Sequence, residues 1–144
     1  EALDFFEERY VHSNDYKYAI CLKENNVPIG YVNVCMDDSH DFGYGLLEEY
    51  WRQGIVSEAE RAVIEQLRKD GLPYITATHD VNNLHSGYVM KALGMSYQYT
   101  YEELWQPKNF FVHFRMYQLN FAEHQEVYQK YWSMYPNHFI EEDV

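Results

Sequence analysis

Two spacings of hydrophobic residues alternate along the chain and predict a mixed α/β fold. Short runs rich in Val, Ile, Tyr and Phe favour strands, whereas apolar residues three or four positions apart favour helices. The predicted elements are, in order, a helix at Ala2–Tyr10, strands at Tyr16–Lys23, Ile29–Met36 and Phe42–Leu47, a helix from Gly54 to Lys69, a strand at Tyr74–His79, a helix at Leu84–Leu93, strands at Tyr97–Trp105 and Phe110–Phe121, and a helix-like segment at Tyr128–Tyr135. We therefore predict one domain over residues 1–121, followed by an aromatic helix and acidic tail over residues 122–144. This tail is expected to pack on the same domain or on a partner chain.

Turn residues mark the ends of several predicted elements. The first two strands are joined by a polar turn at Glu24–Pro28, which predicts an antiparallel hairpin. Basic residues followed by Gly71 predict the end of the long helix, and Gly94 predicts the end of the next one. Asn82 or Asn83 can cap the start of that second helix.

The stretch Asp41–Ala59 is the best functional clue in the sequence. A strand runs into a turn at Glu48–Gln53, and helical spacing begins at Gly54. Such a turn leaves backbone N–H groups at the helix N-terminus without partners, and the helix dipole adds positive potential there. The stretch therefore predicts a phosphate-binding site. An ordinary strand-to-helix connection is the alternative, because the chain has neither a Walker lysine pattern nor a GxGxxG motif.

Charge and cysteine content narrow the choice of partners. The 144 residues include 23 acidic and 11 basic ones, and the net charge of −12 argues against nucleic acid or an anionic membrane and suits an amine-bearing partner. Cys21 and Cys35 lie in strand-like runs and are predicted to be buried thiols of a cytoplasmic protein. The seven histidines show no paired-ligand spacing, so we expect no metal. We expect no membrane span either, because no apolar run is long enough.

Two motifs resemble those of the GNAT superfamily of acyl-CoA-dependent N-acyltransferases. They are GYGLLEEYWRQGIVSEA, beginning at Gly43, and NNLHSGYVMKALGM, beginning at Asn82. Within that family the chain is similar to the branch containing the ribosomal-protein-alanine N-acetyltransferases. The resemblance implies an α/β (α+β) fold with a mixed, splayed sheet flanked by helices, whose parallel strands Phe42–Leu47 and Tyr74–His79 part at their C-terminal ends. The family's first strand and helix, ahead of Ala2–Tyr10, are missing from this sequence. Either the sequence is truncated there, or another element, such as the aromatic tail Tyr128–Tyr135 of this chain or of a partner in a homodimer, covers that edge.

The resemblance also implies a site for acetyl-CoA as cosubstrate. In the family the pantetheine arm lies between the parted strands and binds strand backbone, and the diphosphate rests on backbone N–H groups of the turn and of the first helical residues. The implied residues are Leu46 and Leu47 for the arm, Arg52, Gln53, Gly54, Ile55, Val56 and Ser57 for the diphosphate, Asn83 and Ser86 near the thioester, and Lys91 near the adenosine end. Each has a structural alternative: the charged side chains can be solvated, Asn83 can cap a helix, and Ser86 can bond its own backbone.

The chemistry implied by the resemblance is direct attack of a substrate amine on the acetyl thioester. This reaction needs a base for the amine, a donor for the oxyanion and a proton for the departing thiolate. The candidates are Asp41 or His79 as the base, Ser86 as the acid, and the backbone N–H of Leu46 or Leu47 as the oxyanion donor. Asp41 can equally be an exposed residue at the start of a strand, and His79 a satisfied loop histidine.

Two positions depart from the pattern of the family. Val56 stands where relatives have Gly or Ala and is expected to crowd a diphosphate, and Met90 stands where many relatives have a tyrosine that protonates the thiolate. Tyr88 is predicted to be a packing aromatic and not a substitute acid. We predict an acetyl-CoA-dependent N-acetyltransferase whose acceptor is a small molecule or a protein N-terminus. The departures support the alternative of a catalytically weak or silent acyl-CoA-binding or interaction protein with the same fold.

Overall fold

The computed structural model describes residues 15–144, and the helix predicted at Ala2–Tyr10 lies outside the described residues. The strands are β1 (Tyr16–Cys21), β2 (Pro28–Val34), β3 (Phe42–Leu46), β4 (Tyr74–Asp80), β5 (Ser96–Trp105), β6 (Phe110–Asn120) and β7 (His138–Phe139). The helices are α1 (Ile55–Lys69), α2 (Leu84–Ala92) and α3 (Lys130–Met134), and a 3₁₀ turn spans Glu48–Tyr50. The predicted α/β class is therefore confirmed. The chain divides into two compact units, one ending at Ile64 and the other spanning Glu65–Val144.

The first unit contains an antiparallel sheet in the order β1–β2–β3. The predicted hairpin is confirmed, because β1 and β2 pair with Tyr16 opposite Val34. One side of the sheet is built from buried apolar residues at alternate positions, namely Ile20, Val32, Val34 and Phe42. On the other side, a Cβ at Gly45 would lie 2.5 Å from a ring carbon of Tyr31, so β3 needs glycine where that ring crosses it.

The second unit contains an antiparallel sheet in the order β4–β6–β5–β7. The long strands β5 and β6 form the predicted aromatic hairpin, in which Thr100 lies opposite Arg115. On the other edge of β6, Arg115 lies opposite His79 of β4. The two strands for which the resemblance implies a parallel arrangement are present as β3 and β4, and they belong to different sheets.

One face of the second sheet is covered by the C-terminal segment. Tyr99, Tyr101 and Met116 are almost fully buried there, and the side chains packed on them include Tyr128, Tyr131, Trp132 and Tyr135. The ring of Tyr101 stacks with those of Tyr131 and Tyr135, at centroid distances of 5.1 and 5.0 Å. Such ring pairs add to the free energy of apolar burial. The aromatic residues of the tail are therefore part of the core of the second unit.

Glycine residues end both long helices as predicted. Gly71 and Gly94 have left-handed backbone angles, with φ of +82° and +91°, and follow the last turns of α1 and α2. A residue without a Cβ adopts this conformation with little strain. Of the two candidate caps of α2, Asn83 is the one used, since its side-chain oxygen accepts from the backbone N–H of Ser86 at 3.4 Å.

The prediction of two buried thiols is wrong. Cys21 is exposed and Cys35 is only partly buried. Cys21 is the last residue of β1, and the register between β1 and β2 shifts between Ile20 and Cys21. Ile20 takes the buried position, so the thiol of Cys21 is left on the solvent side.

Candidate functional site

The turn after β3 contains two residues with left-handed backbone angles. After the 3₁₀ turn, Arg52 and Gly54 both adopt left-handed angles, with φ of +61° and +74°. This conformation is uncommon for a residue other than glycine. Among the residues that the structure describes, no atom would lie within 4 Å of a Cβ added at Gly54, so glycine is needed for its backbone angle and not for space. Two left-handed residues thus reverse the chain immediately before α1.

The first turn of α1 supplies backbone donors. The first helical hydrogen bond runs from the N–H of Glu58 to the carbonyl of Gly54 at 3.1 Å. The N–H groups of Ile55, Val56 and Ser57 precede this bond and have no acceptor within the helix. The helix dipole adds positive potential at the same place. The backbone N–H groups on which the phosphate-binding prediction depends therefore lie at this turn, and phosphate binding stays a prediction.

Three predicted ligands are polar side chains on the surface. Arg52, Gln53 and Lys91 are all exposed. Gln53 is held in the turn, because its Nε2 donates to the backbone carbonyl of Glu49 at 3.2 Å. The side chain of Gln53 therefore fastens the turn, whereas those of Arg52 and Lys91 extend from the surface.

The hydrogen bonds of β3 distinguish between the two candidate oxyanion donors. The N–H of Leu47 donates to the carbonyl of Ile29 at 2.9 Å, and the carbonyl of Asp41 accepts from the N–H of Cys35. The backbone N–H and carbonyl groups of the odd-numbered residues along β3 therefore point toward β2. In an antiparallel pair the alternate residues point away, so the N–H and carbonyl of Leu46 face the other edge of β3. Leu47 is engaged within the sheet, and Leu46 is the donor that remains.

The indole of Trp51 forms a hydrogen bond with the backbone carbonyl of Leu46. Its Nε1 donates to that oxygen at 2.7 Å, while 54% of the residue's surface stays exposed. A ligand that adds to this edge of β3 as a further strand would use the same acceptor. The sequence does not predict this role of the Trp51 indole, because no spacing rule connects an indole to a carbonyl five residues earlier.

Asp41 precedes β3 at the end opposite the turn. Burial, together with the neighbouring Asp37 carboxylate, raises the pKa of Asp41 to about 6. The backbone N–H of Asp41 donates to the Oγ of Ser39 at 3.1 Å. Five residues of extended chain separate Asp41 from Leu46, a distance of roughly 16 Å. Asp41 has the basicity of a candidate base, but β3 holds it away from the turn.

His79 of β4 has a defined tautomer. Its Nδ1 lies 2.7 Å from the carbonyl oxygen of Asp80, which can only accept, so Nδ1 carries the proton. The other nitrogen, Nε2, is buried and has no hydrogen-bond partner in the part of the chain that the structure describes. A Cβ at Gly87 of α2 would lie 2.8 Å from it, so a glycine in mid-helix makes room for the ring. Burial, and further the positive charge of Arg115, lower the pKa of His79, which favours the neutral ring.

The start of α2 holds the remaining predicted residues. Asn83 is exposed and acts as the cap, and Ser86 is partly exposed in the first turn. Met90, at the position of the family's tyrosine, is buried. The prediction that Tyr88 is a packing aromatic is wrong, since 64% of its surface is exposed. The buried side of α2 passes through Gly87 and Met90, and Tyr88 points away from it.

The predicted residues thus form two groups. The first unit holds Leu46 and the turn up to Ser57, and the second holds His79 with the start of α2. In residues 15–144 no group of three or more His, Cys, Asp and Glu side chains is arranged to hold a metal ion. None of the described helices has the length and apolar character needed to cross a membrane.

Sequence comparison identifies the family. The sequence profile of the Acetyltransferase (GNAT) domain matches residues 1–96, which is two thirds of the chain. Among curated proteins, none matches this chain significantly in sequence.

Solved structures share the fold. A ribosomal-protein-S5-alanine acetyltransferase from Vibrio fischeri has a TM-score of 0.70 and 21% identity, over 87% of this chain and 72% of its own. A GNAT-family acetyltransferase from Bacillus anthracis has a TM-score of 0.69 and 20% identity, over 81% and 71% of the two chains. The microcin C7 self-immunity acetyltransferase MccE, solved with acetyl-CoA and AMP, has a TM-score of 0.71 and 16% identity, over 83% and 69%. At these identities the likeness establishes the fold.

Proposed function

We propose, because this chain belongs to the GNAT acetyltransferase family, that it transfers the acetyl group of acetyl-CoA to a primary amine. The observation that carries the proposal is the turn after β3. There Arg52 and Gly54 adopt left-handed backbone angles, and the next backbone N–H groups precede the first hydrogen bond of α1. Such a cluster of backbone donors binds phosphate oxygens without a lysine or a metal ion. We assign it to the diphosphate of CoA.

The proposed reaction is a direct transfer. The nitrogen of the neutral amine attacks the acetyl carbonyl carbon, the C–S bond breaks, and the CoA thiolate leaves and takes up a proton. Leu46 is the proposed oxyanion donor, because its N–H points away from β2. His79 is the proposed base, acting directly or through one water, because its Nε2 keeps a lone pair when Nδ1 donates to a carbonyl. Ser86 is the proposed proton donor to the thiolate.

The proposed acceptor carries positive charge. The chain has a net charge of −12, which attracts cationic amines and raises their local concentration. The relative from Vibrio fischeri is named for the alanine of a ribosomal protein. Peptides with an N-terminal alanine, polyamines, amino sugars and amino-acid derivatives therefore make up the acceptor panel to be tested.

Thermal melting with acetyl-CoA tests the assignment of the turn. Gly54→Val and Gly71→Val form a matched pair, because both glycines have positive φ and neither Cβ would lie within 4 Å of an atom of residues 15–144. Each variant should lose stability through backbone strain, by roughly 1 to 3 kcal/mol. At about 100 times its Kd, acetyl-CoA should stabilise the wild type by about 2.7 kcal/mol, a rise of roughly 5 to 10 °C in Tm. Gly71→Val should keep this rise and Gly54→Val should lose it; equal rises in the two variants contradict the assignment.

Release of free CoA thiol across the acceptor panel tests the activity. Thiol release that depends on one class of amine supports the proposed transfer. A rise in Tm without thiol release for any amine supports the alternative of a silent acyl-CoA-binding protein, for which the buried Met90 at the acid position is the structural argument. The absence of both contradicts both functions.

A further inference from the structure

One face of the second sheet carries a row of polar side chains. His79, Arg115 and Thr100 lie directly opposite one another on the adjacent strands β4, β6 and β5. Side chains of residues paired in this way project from the same face of the sheet. α2 lies close to the His79 end of the row, since a Cβ added at Gly87 would lie 2.8 Å from the Nε2 of His79. The other end extends toward β7, which pairs with β5 at Thr100 and Phe139.

Glu141, just after β7, closes this row from the C-terminal segment. Its carboxylate accepts two hydrogen bonds from Arg115, from Nη2 at 2.6 Å and from Nε at 3.2 Å. The same carboxylate accepts from the Oγ1 of Thr100 at 2.7 Å, and the backbone N–H of Glu141 donates to the hydroxyl of Tyr97 at 2.9 Å. The hydroxyl of Tyr97 also lies 2.8 Å from the Oγ1 of Thr100. A two-pronged contact supported by two neighbours fixes the guanidinium in one place.

We propose that Arg115 and Glu141 are positioning residues for His79: the C-terminal segment holds the guanidinium on the row that carries the imidazole, and this fixed positive charge acts on the ring from the adjacent strand. The catalytic meaning of this inference rests on the proposed function, in which His79 is the base. The electrostatic part stands on its own and can be tested without turnover.

The groups that face His79 support this assignment. From its own strand, the carbonyl of Asp80 accepts from Nδ1, and the Asp80 carboxylate favours the charged ring. From β6 come Arg115, which disfavours the charged ring, and Tyr117, whose ring centroid lies 5.5 Å away. From α2 come Gly87, which has no charge, and the backbone of Asn83, which favours the charged ring. Arg115 is therefore the positive charge acting on His79, and burial of the ring acts in the same direction.

Glu141 contacts the guanidinium of Arg115 and the hydroxyl of Thr100, which lies on the strand beyond Arg115 as seen from His79. The hydrogen-bonded guanidinium lowers the pKa of Glu141, so this carboxylate is ionised at neutral pH. Its negative charge partly offsets the field of Arg115. Removal of the two charges should therefore shift the titration of His79 in opposite directions.

An NMR titration of the His79 ring in the full chain tests this expectation. The signal is assigned with a His79→Gln variant, because the chain has seven histidines. Arg115→Met should raise the midpoint, since the positive charge is lost and Glu141 remains. Glu141→Gln should lower the midpoint, because the amide oxygen still accepts from Arg115 and the compensating charge is gone. Arg115→Lys should keep the midpoint low, since it conserves the charge.

Opposite shifts separate this role from a merely structural one. If the C-terminal segment only supports packing, both variants loosen the sheet, hydrate the ring and raise the midpoint together, which would overturn the proposal. Glu142→Gln is the matched control, because it removes the same charge from an adjacent, exposed residue and should leave the midpoint unchanged. An equal shift in this control would also overturn the proposal.

The pH dependence of acetyl transfer distinguishes this inference from the proposed function. If the rate profile follows the NMR midpoint in both variants, the positioning role and the base role are both supported. If the NMR midpoints shift in opposite directions and the rate profile does not move, the coupling stands and His79 is not the base. Unmoved NMR midpoints contradict the coupling whatever the activity.

Discussion

Replacing Glu60 by Gln should stabilise this protein at alkaline pH. Glu60 lies in α1 and is 0% exposed, and within residues 15–144 neither of its carboxylate oxygens has a hydrogen-bond partner. Burial raises the pKa of Glu60 from an ordinary value of 4.5 to about 7, and the charge of Arg61 offsets only part of that rise. A buried carboxyl without partners is stable as the neutral acid and unfavourable as the anion.

The sign of the effect follows from linkage. The folded state binds the proton of Glu60 more tightly than the unfolded state, so the free energy of unfolding decreases as pH rises from 4.5 to about 7 and then levels off. This difference in pKa lowers the free energy of unfolding by roughly 2 to 3 kcal/mol at pH 8, once residual solvent screening is allowed for. At a pH of about 5.5 less than half of this penalty is present, because the pH lies roughly one unit above the pKa of the unfolded state and roughly 1.5 units below that of the folded state.

Urea denaturation at two pH values measures the effect. Both should lie above the isoelectric point of about 4.8 to keep the protein soluble, and values near 5.5 and 8 satisfy this requirement. Relative to the wild type, Glu60→Gln should gain roughly 1 to 2 kcal/mol more at the higher pH than at the lower one. Glu58→Gln, an exposed acid on the same helix, is the control and should change stability by less than about 0.5 kcal/mol at either pH.

Two results would refute this reasoning. One is a Glu60→Gln variant that is no more stable than the wild type at the higher pH. The other is a gain that is the same at both pH values, because a neutral amide removes a pH-dependent penalty only if the pKa of the carboxyl differs between the folded and the unfolded state. Either result would mean that Glu60 has a partner in the folded chain that compensates its charge.

Two further predictions concern the candidate site. Trp51→Phe should tighten acetyl-CoA binding by about 2- to 10-fold in a calorimetric titration. The substitution removes an indole hydrogen bond, worth about 0.5 to 1.5 kcal/mol, that competes with the ligand for the carbonyl of Leu46. Weaker binding would mean that the indole contacts the ligand. Ser86→Ala should lower kcat about tenfold or more and leave the Kd of acetyl-CoA unchanged, as expected for a proton donor to the thiolate; a loss of affinity with kcat unchanged would assign Ser86 to binding only.

Local features of the fold follow from the sequence because their causes are local. Gly71 and Gly94 end helices through their own backbone freedom, and the turn around Gly54 is specified within a few residues. The hairpin of β5 and β6 follows from two aromatic strands separated by a short turn. These elements appear in the structure at almost the predicted positions.

Features that depend on distant pairing do not follow from the sequence. β7 is two residues long, and it exists because β5 offers an edge to which His138 and Phe139 can bond. The contact of Glu141 with Arg115 joins residues 26 positions apart, and only the order β4–β6–β5–β7 brings them to one face. Periodicity within a segment carries no information about its neighbour in the sheet. For this reason the row that holds His79 is absent from the predicted site.

The choice of Leu46 over Leu47 as the proposed oxyanion donor depends on register in the same way. Alternation along the sequence predicts which side chains of β3 share a face, but not which edge of the strand carries a given N–H. The bond from Leu47 to Ile29 decides this, and a shift of one residue would turn the N–H of Leu46 toward β2 and leave that of Leu47 outward. Gly30 and Gly45 hold the register, since a Cβ at Gly30 would collide with the carbonyl oxygen of Gly45. The backbone donor available for chemistry is therefore fixed by the close approach of two glycines that carry no functional group.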